Sequence, residues 1–371
     1  MNKKEVKKAP TLRFKGFTND WEQRKLGEIS NIIAGGDKNI NKIKKYGKYP
    51  VIANSINKNG IVGYYDNEYR VKAPAVTVTG RGEIGHAVAR FQNFTPIVRL
   101  LALSSKLDPI FLANSINKIR FFNESTGVPQ LTKPQLSTYS IIIPSVEEQN
   151  NIGKLILLIE KYIDLQQRKL KLLKVMKKAL SQYMFCQEIE FVPILRFNSF
   201  SDKWKYERLK NLIVKEIKGK AKADMKGTKS TYIDTALLNG GSITKVDSPT
   251  DTFHNDIIIL WDGSQAGKIY HGFTGALGST LKSYKPKYSG GFLYQYLKSK
   301  EPIIFLRYRT PNIPHVVKDF TEIFKINIPS VKEQEKISKT LNYLDQSILV
   351  ETKKIGSIKK IKKFLLQNMF I

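Results

Sequence analysis

An α+β fold is what the sequence predicts: two similar regions of short mixed strands and small helices, alternating with two long helices packed as an antiparallel coiled coil. Three observations lead there. The stretch Ile143 to Phe185 occurs again as Ile328 to Phe370 without a gap, and 17 of the 43 positions are identical. The stretch Pro10 to Trp21, PTLRFKGFTNDW, is echoed by Pro193 to Trp204, PILRFNSFSDKW. Between these copies the apolar runs are short and punctuated by Gly, Pro and Asn, which is the texture of strands and turns.

Each copy of the first repeat begins as a helix begins. Ser145 and Ser330 are N-cap residues, Glu147, Glu148 and Glu333 meet the helix dipole, and Glu148 and Glu333 stand at capping-box spacing from the serines. Ile152, Leu155, Ile159, Ile163, Leu170, Leu173, Met176 and Leu180 recur in steps of three, four or seven, as do Ile337, Leu341, Leu344, Ile348, Ile355, Ile358, Ile361 and Leu365. Each run lasts roughly 36 residues, about 54 Å of helix. A helix that long with one apolar stripe needs a partner, and its own repeat is the nearest one. Gln166, Lys169, Asn342 and Thr352 interrupt the seams.

The organisation expected is therefore residues 1–142 as a first globular region, 143–185 as a long helix, 186–327 as a second region and 328–371 as a second helix. A pseudo-two-fold internal repeat would relate the halves and bring the two ends of the chain together. Within the first region YPVIAN, GIVGYY, APAVTVTG, HAVARF, TPIVRLLAL and YSIIIP read as strands, with a helix over Pro109 to Asn123. In the second, TYIDTALL, DIIILWDG, KIYHGF and FKINIP read as strands, with a helix over Gly291 to Lys300.

Composition narrows the function. The chain of 371 residues holds 62 Lys and Arg against 32 Asp and Glu, a net charge of +30, which points to a polyanionic partner. Its single cysteine, Cys186, cannot close an internal disulfide. With no long apolar run and no signal-peptide pattern, the expectation is a cytoplasmic protein away from membranes.

The motifs that invite a catalytic reading do not sustain one. Gly80 to Gly85 spells G-x-G-x-x-G after a strand, but HAVARF follows where a dinucleotide site needs a helix, so a tight turn presenting Arg81 is expected. Gly263 to Lys268 is one residue short of a phosphate loop, with Ile269 where Ser or Thr would hold magnesium, and reads as a hairpin tip. His86, His254, His271 and His315 lack metal-ligand spacing.

What remains is basic and polar residues in loops. Lys38, Asn41, Lys42, Lys44, Lys45 and Lys48 form one basic cluster, and Lys215 to Lys229, including Lys220 and Lys222, forms another. Loop lysines are usually only solvated, but such clusters suit phosphate. Arg81, Gln130, Gln265 and Arg309 suit base edges, because Arg pairs with guanine and Gln with adenine through two hydrogen bonds each. Thr79, Thr126, Ser264, Lys268, Asn312 and His315 belong to the same loops. Aligning VTVTGRGEIGHA with IILWDGSQAGKI superposes Gly85 on Gly267, and STGVPQLT lies over TPNIPHVV. The framework is shared and these loops have diverged, as two reading heads for different targets would.

The doubled helix starts IPSVEEQ and IPSVKEQ, the doubled lead-in and the two divergent regions resemble the specificity subunits of type I restriction-modification systems, over Pro10 to Ile371. The resemblance implies that each region reads one half of a split DNA site, while the helices set the spacing. It implies two methyltransferase subunits docked at the helices, with Glu148, Gln149, Glu333 and Gln334 as expected contacts, and restriction subunits in the full complex. It implies no cofactor on this chain, with S-adenosylmethionine, ATP and Mg on the partners, and no catalysis by the chain itself. Two other readings stay open: a self-contained nucleic-acid-modifying enzyme, and a non-specific basic coiled-coil scaffold.

Overall fold

The computed structural model describes residues 9–121, 130–186, 190–312 and 314–371. They divide into two compact units, Met1–Gln167 with Lys353–Ile371, and Arg168–Thr352. The helices are thus not separate from the strand regions: each contributes one half of its length to each unit's core.

The first unit holds β1 (Glu22–Lys25), α1 (Leu26–Ile29), β2 (Ser30–Ala34), β3 (Tyr49–Ile52), β4 (Ile61–Tyr65), β5 (Ala75–Thr79), β6 (Ala87–Arg90), β7 (Thr95–Pro96), β8 (Leu100–Ser105), α2 (Pro109–Ile116), α3 (Lys133–Thr138), β9 (Ser140–Ile143) and the first half of α4 (Val146–Tyr183). Strands β2-β8-β5-β6 form an antiparallel sheet, β4-β3-β7 a second, and β1-β9 a ribbon. Alternation explains the main sheet: Val76 and Val78 of β5 pack with Leu101, Leu103, Leu112 and Ile116, leaving Thr77 and Thr79 for the other face. Asp108 caps α2 by accepting from the Phe111 N–H at 2.8 Å.

The expected helix over Pro109 to Asn123 stops at Ile116, with Phe122 and Asn123 outside the described residues. Asn117 ends it by exchanging two hydrogen bonds with Ala87, accepting from its N–H at 2.8 Å and donating to its carbonyl at 2.9 Å. A side chain that completes the edge of β6 outweighs one more helical turn.

In the second unit β10 (Lys205–Arg208), β11 (Ile213–Lys218), β12 (Lys226–Ile233), α5 (Thr235–Leu238), β13 (Lys245–Val246), β14 (Ile257–Leu260), β15 (Ile269–His271), β16 (Ala276–Leu277), β17 (Leu281–Pro286), α6 (Gly290–Ser299), α7 (Glu301–Arg307), α8 (Phe320–Ile323), β18 (Lys325–Ile328) and the first half of α9 (Val331–Asn368) follow. The topology is the same: a sheet β11-β17-β14-β15, a sheet β13-β12-β16 and a ribbon β10-β18. TYIDTALL is strand only as far as Ile233, because Asp234 caps α5 by accepting from the Leu237 N–H at 2.8 Å.

Both lead-ins lie against a helix end. In the first unit the Leu12 N–H donates to the Asn368 carbonyl at 2.9 Å, and Trp21, Phe111, Ile152, Ile156, Met369 and Phe370 share one core cluster. In the second the Leu195 N–H donates to the Tyr183 carbonyl at 2.8 Å, and Phe185, Trp204, Phe292, Ile337 and Leu341 cluster likewise. The helix halves run antiparallel within each unit. Ile152 and Ile156 cluster with Leu365, Met369 and Phe370, while Glu160 pairs with Lys362 at 2.6 Å. In the second unit Lys169 pairs with Glu351 at 2.5 Å and Lys177 with Asp345.

Small residues set the approach of helix to sheet region. A Cβ on Gly153 would come within 2.1 Å of Asp108 Oδ1; in the second unit Ser338 occupies the matching position and Gly291 supplies the space instead, its added Cβ meeting Ser338 Oγ at 2.2 Å. The seams are only partly as expected. Ile152, Ile163, Ile337, Leu341, Leu344 and Ile355 are buried, whereas Met176 and Ile361 are 44% and 54% exposed. Of the residues that interrupt them, Asn342 accepts from Gln295 Nε2 at 2.7 Å, Thr352 donates to the Ile348 carbonyl at 2.7 Å, and buried Gln166 has a side-chain oxygen without a partner among the described residues.

Candidate nucleic-acid interface

In each unit the turn after a central strand is tied to a second, distant loop. Thr79 closes the β5–β6 turn: its hydroxyl donates to the Glu83 carbonyl and accepts from the His86 N–H at 2.9 Å. Gly80 to Gly85 is therefore the tight turn expected, leading into a strand. The Leu131 N–H donates to the Gly80 carbonyl at 2.7 Å, and Arg81 and Gln130 form a β-bridge. In the second unit the Gly263 N–H donates to the Pro314 carbonyl at 2.9 Å, the Val316 N–H to the Trp261 carbonyl at 3.0 Å, and Asp262 bridges His315. Gly85 and Gly267, superposed by the sequence, both adopt left-handed backbone, with φ of +85° and +95°.

The first unit therefore joins Arg81, half-buried, to Gln130, exposed, on adjoining backbone. Two further residues belong with them. Asn54 accepts from the N–H groups of Gly80 at 2.7 Å and Arg81 at 3.3 Å and donates to the Arg81 carbonyl at 2.7 Å, so it fixes the turn that carries Arg81. Arg99 is exposed, and its carbonyl accepts from the Gly80 N–H at 3.0 Å. Neither has a sequence signal of its own. Asn54 lies in a strand-like run and Arg99 in a turn, and only folding brings them to Gly80.

The second unit joins Ser264, Gln265, Arg309 and His315. Arg309 donates from Nη2 to the Ser264 carbonyl at 3.0 Å and lies over the Phe305 ring, its centre 4.9 Å away. Lys268 donates to Gln265 Oε1 at 2.7 Å, and Thr310 and His315 meet through Oγ1 and Nδ1 at 3.0 Å. Asn312 is exposed beside them.

Several expected contacts need correction. Thr79 is 4% exposed with its hydroxyl used inside the turn, so it is a structural residue, unavailable to DNA. Lys42 and Lys44 are exposed but partly neutralised, pairing with Glu68 at 2.9 Å and Asp66 at 2.6 Å. Lys38, Asn41, Lys45 and Lys48 are exposed with them, as are Lys220 and Lys222 in the second unit. Thr126 lies outside the described residues.

The helix starts are corrected most. Glu148, Gln149, Glu333 and Gln334 are between 1% and 2% exposed and cannot meet a partner. Glu148 takes two hydrogen bonds from Arg13 and one from Trp21 Nε1 at 3.2 Å, and Glu333 takes two from Arg196. Gln149 and Gln334 each donate to a proline carbonyl, of Pro144 and Pro329, at 2.9 Å. The serine caps form, with the Glu148 and Glu333 N–H groups donating to Ser145 and Ser330 at 3.3 and 3.4 Å. The glutamates turn to arginine instead of closing the capping box.

The exposed surface of α4 mixes charged residues with large apolar ones. Leu158, Tyr162 and Leu165 are exposed in the first unit, as are Leu172, Val175 and Met176 in the second. Their signal was legible: Leu158, Leu165 and Leu172 repeat every seven residues off the core seam. Burial pushes the Cys186 thiol up to about 12, so it is protonated at neutral pH. Among the described residues no group of three or more His, Cys, Asp and Glu is placed to hold a metal ion, and no helix is long and apolar enough to cross a membrane.

Comparison with known proteins agrees with this architecture. The type I restriction enzyme MjaVIII specificity subunit of Methanocaldococcus jannaschii is 34% identical over 178 residues, covering 45% of this chain and 42% of that protein. A Mycoplasma pneumoniae protein named as a type I specificity subunit, S.MpnORF89P, is 29% identical over 151 residues, covering 39% of this chain and 45% of the other. The chain thus matches less than half the length of these two curated relatives. The crystal structure of the type I restriction-modification S subunit from M. genitalium superposes with a TM-score of 0.74 at 17% identity, covering 98% of this chain and 99% of that one, a likeness of fold. The family described as type I restriction modification DNA specificity domain matches residues 18–175 and again residues 201–360. Matched twice and over most of its length, the chain belongs to that family.

Proposed function

We propose that this chain is the DNA-specificity subunit of a type I restriction-modification complex, each unit reading one half of a bipartite, asymmetric duplex site. The observation that carries the reading is the twice-built pairing of a hairpin turn with a distant loop, Arg81 with Gln130 and Asp262 with His315. The scaffold is kept and the side chains differ, which is what two heads with different targets require. Arg81, Gln130, Gln265 and Arg309 would discriminate bases, and the exposed lysines would supply salt-sensitive affinity. The long helices would set the spacing of the half-sites. Their exposed apolar residues, not the buried glutamates, would dock two methyltransferase subunits, with restriction subunits joining the full complex. S-adenosylmethionine, ATP and Mg would belong to those partners, and this chain would do no chemistry of its own. Action in the cytoplasm follows from that role.

Exchanging residues 22–142 for another recognition region and mapping methylated bases in the host genome tests this. The expected result is a change in one half of the recognised site only; a change in both halves overturns the modular reading.

A further inference from the structure

Arg90 stands in the first unit at the end of β6, on the face of the hairpin opposite the Val76 and Val78 cluster, beside Thr77. Its Nε donates to Thr77 Oγ1 at 2.9 Å, and the Thr77 hydroxyl in turn donates to the Val88 carbonyl at 3.3 Å, so the guanidinium is held from one side. Its two terminal amino groups have no acceptor among the described residues, and no carboxylate offsets its burial, which pushes the guanidinium down to about 10. A half-buried cation gains from a counter-charge placed beside it. Here none is supplied.

The guanidinium lines a notch of about 20 Å³ with Ser55, Asn59, Thr77, His86 and Leu100. That is room for one water or one oxygen atom, not for the edge of a base. The notch adjoins the reading turn: Thr79 and His86, the residues that close the turn carrying Arg81, also line it. Asn59, which lines it, and the preceding Lys58, which is exposed, adopt left-handed backbone, with φ of +55° and +48°. In the second unit Gly272 stands at the position of Arg90 by the same alignment that superposes Gly85 on Gly267, so the feature belongs to one half only.

We infer that the Arg90 notch is a phosphate clamp: the terminal amino groups of Arg90 take a backbone phosphate oxygen of the duplex and fix the register in which the Arg81 turn meets the bases. A full negative charge is the partner that a half-buried guanidinium without a carboxylate neighbour gains most from, and a single oxygen is what the space admits. This rests on the reading of the chain as a DNA-specificity subunit and adds a residue whose contribution is positional and independent of sequence.

The test uses the full chain assembled with its methyltransferase subunits, a duplex carrying the site mapped from host methylation, and a scrambled duplex of equal composition, each titrated over a salt series. Arg90→Met is expected to weaken both duplexes by about the same factor, roughly tenfold, and to reduce the slope of log affinity against log salt by about one. Arg90→Lys keeps the charge and is expected to retain most of the slope. Because the cation is unpaired in the free protein, Arg90→Met is expected to melt no lower than the parent. An unchanged salt slope overturns the proposal, as does a loss confined to the specific duplex, which would make Arg90 a base reader. A lowered melting temperature with an unaltered slope would make it structural and overturn the proposal too. Should the parent fail to distinguish the two duplexes, the specificity reading fails by itself, and the slope still decides the clamp.

Discussion

Arg13 and Glu148 form a bidentate ion pair, Nε to Oε1 at 2.8 Å and Nη2 to Oε2 at 2.7 Å, and Arg196 and Glu333 repeat it in the second unit at 2.8 Å for both bonds. Each pair fastens a lead-in to the first turn of a long helix, where the carboxylate also meets the helix dipole. The glutamates are 1% exposed, so removing the arginine leaves a buried charge without its counter-ion. Arg13→Ala is expected to destabilise the first unit by about 3 kcal/mol, measured by urea unfolding. Adding Glu148→Gln should recover part of that loss; a further loss in the double variant would contradict the account.

Asn54 makes three hydrogen bonds to the turn carrying Arg81. Asn54→Ala is expected to cost about 1–3 kcal/mol in stability. In the assembled methyltransferase it should degrade recognition of one half-site while sparing the other. Methylated-base mapping reads this directly, and loss of fidelity at both halves would show that Asn54 is not acting through its own turn.

Glu68 and Asp66 hold Lys42 and Lys44 in exposed ion pairs, which are worth about 0–1 kcal/mol each. Asp66→Asn with Glu68→Gln should leave the melting temperature almost unchanged. The same pair of changes should tighten binding to unspecific duplex and steepen its salt dependence, because the lysines become free for phosphate. No change in salt slope would place the cluster off the DNA.

His271 stacks on Tyr294 with ring centres 5.2 Å apart and has His254 5.6 Å away. Desolvation, aided by His254, pushes its pKa down to about 4 from the ordinary 6.5. The fold therefore holds the ring neutral, while the unfolded chain takes up a proton below about pH 6.5. Stability from this site is full above that pH and falls as pH drops toward 4, by about 1–2 kcal/mol after allowing for partial exposure. His271→Gln should flatten that part of the stability curve in denaturant titrations between pH 7 and 4.

The sequence by itself determined the doubled architecture, the two long helices and the reading of Gly80–Gly85 and Gly263–Lys268 as hairpin turns. These depend on near-neighbour periodicity and on glycine positions, which are local properties. It also marked Arg81, Gln130 and the loops of the second half, because divergence between copies is visible without coordinates. Only the tertiary structure decided what Glu148 and Gln149 do, since Arg13 reaches Glu148 across 135 residues of chain and turns an apparent docking motif into a buried clasp. The same holds for Asn54 beneath Arg81, and for Arg90, whose want of a counter-charge is a property of everything packed around it. Pairing and burial between distant segments leave no periodic trace, so the chain displays its repeats openly and keeps its contacts for the fold.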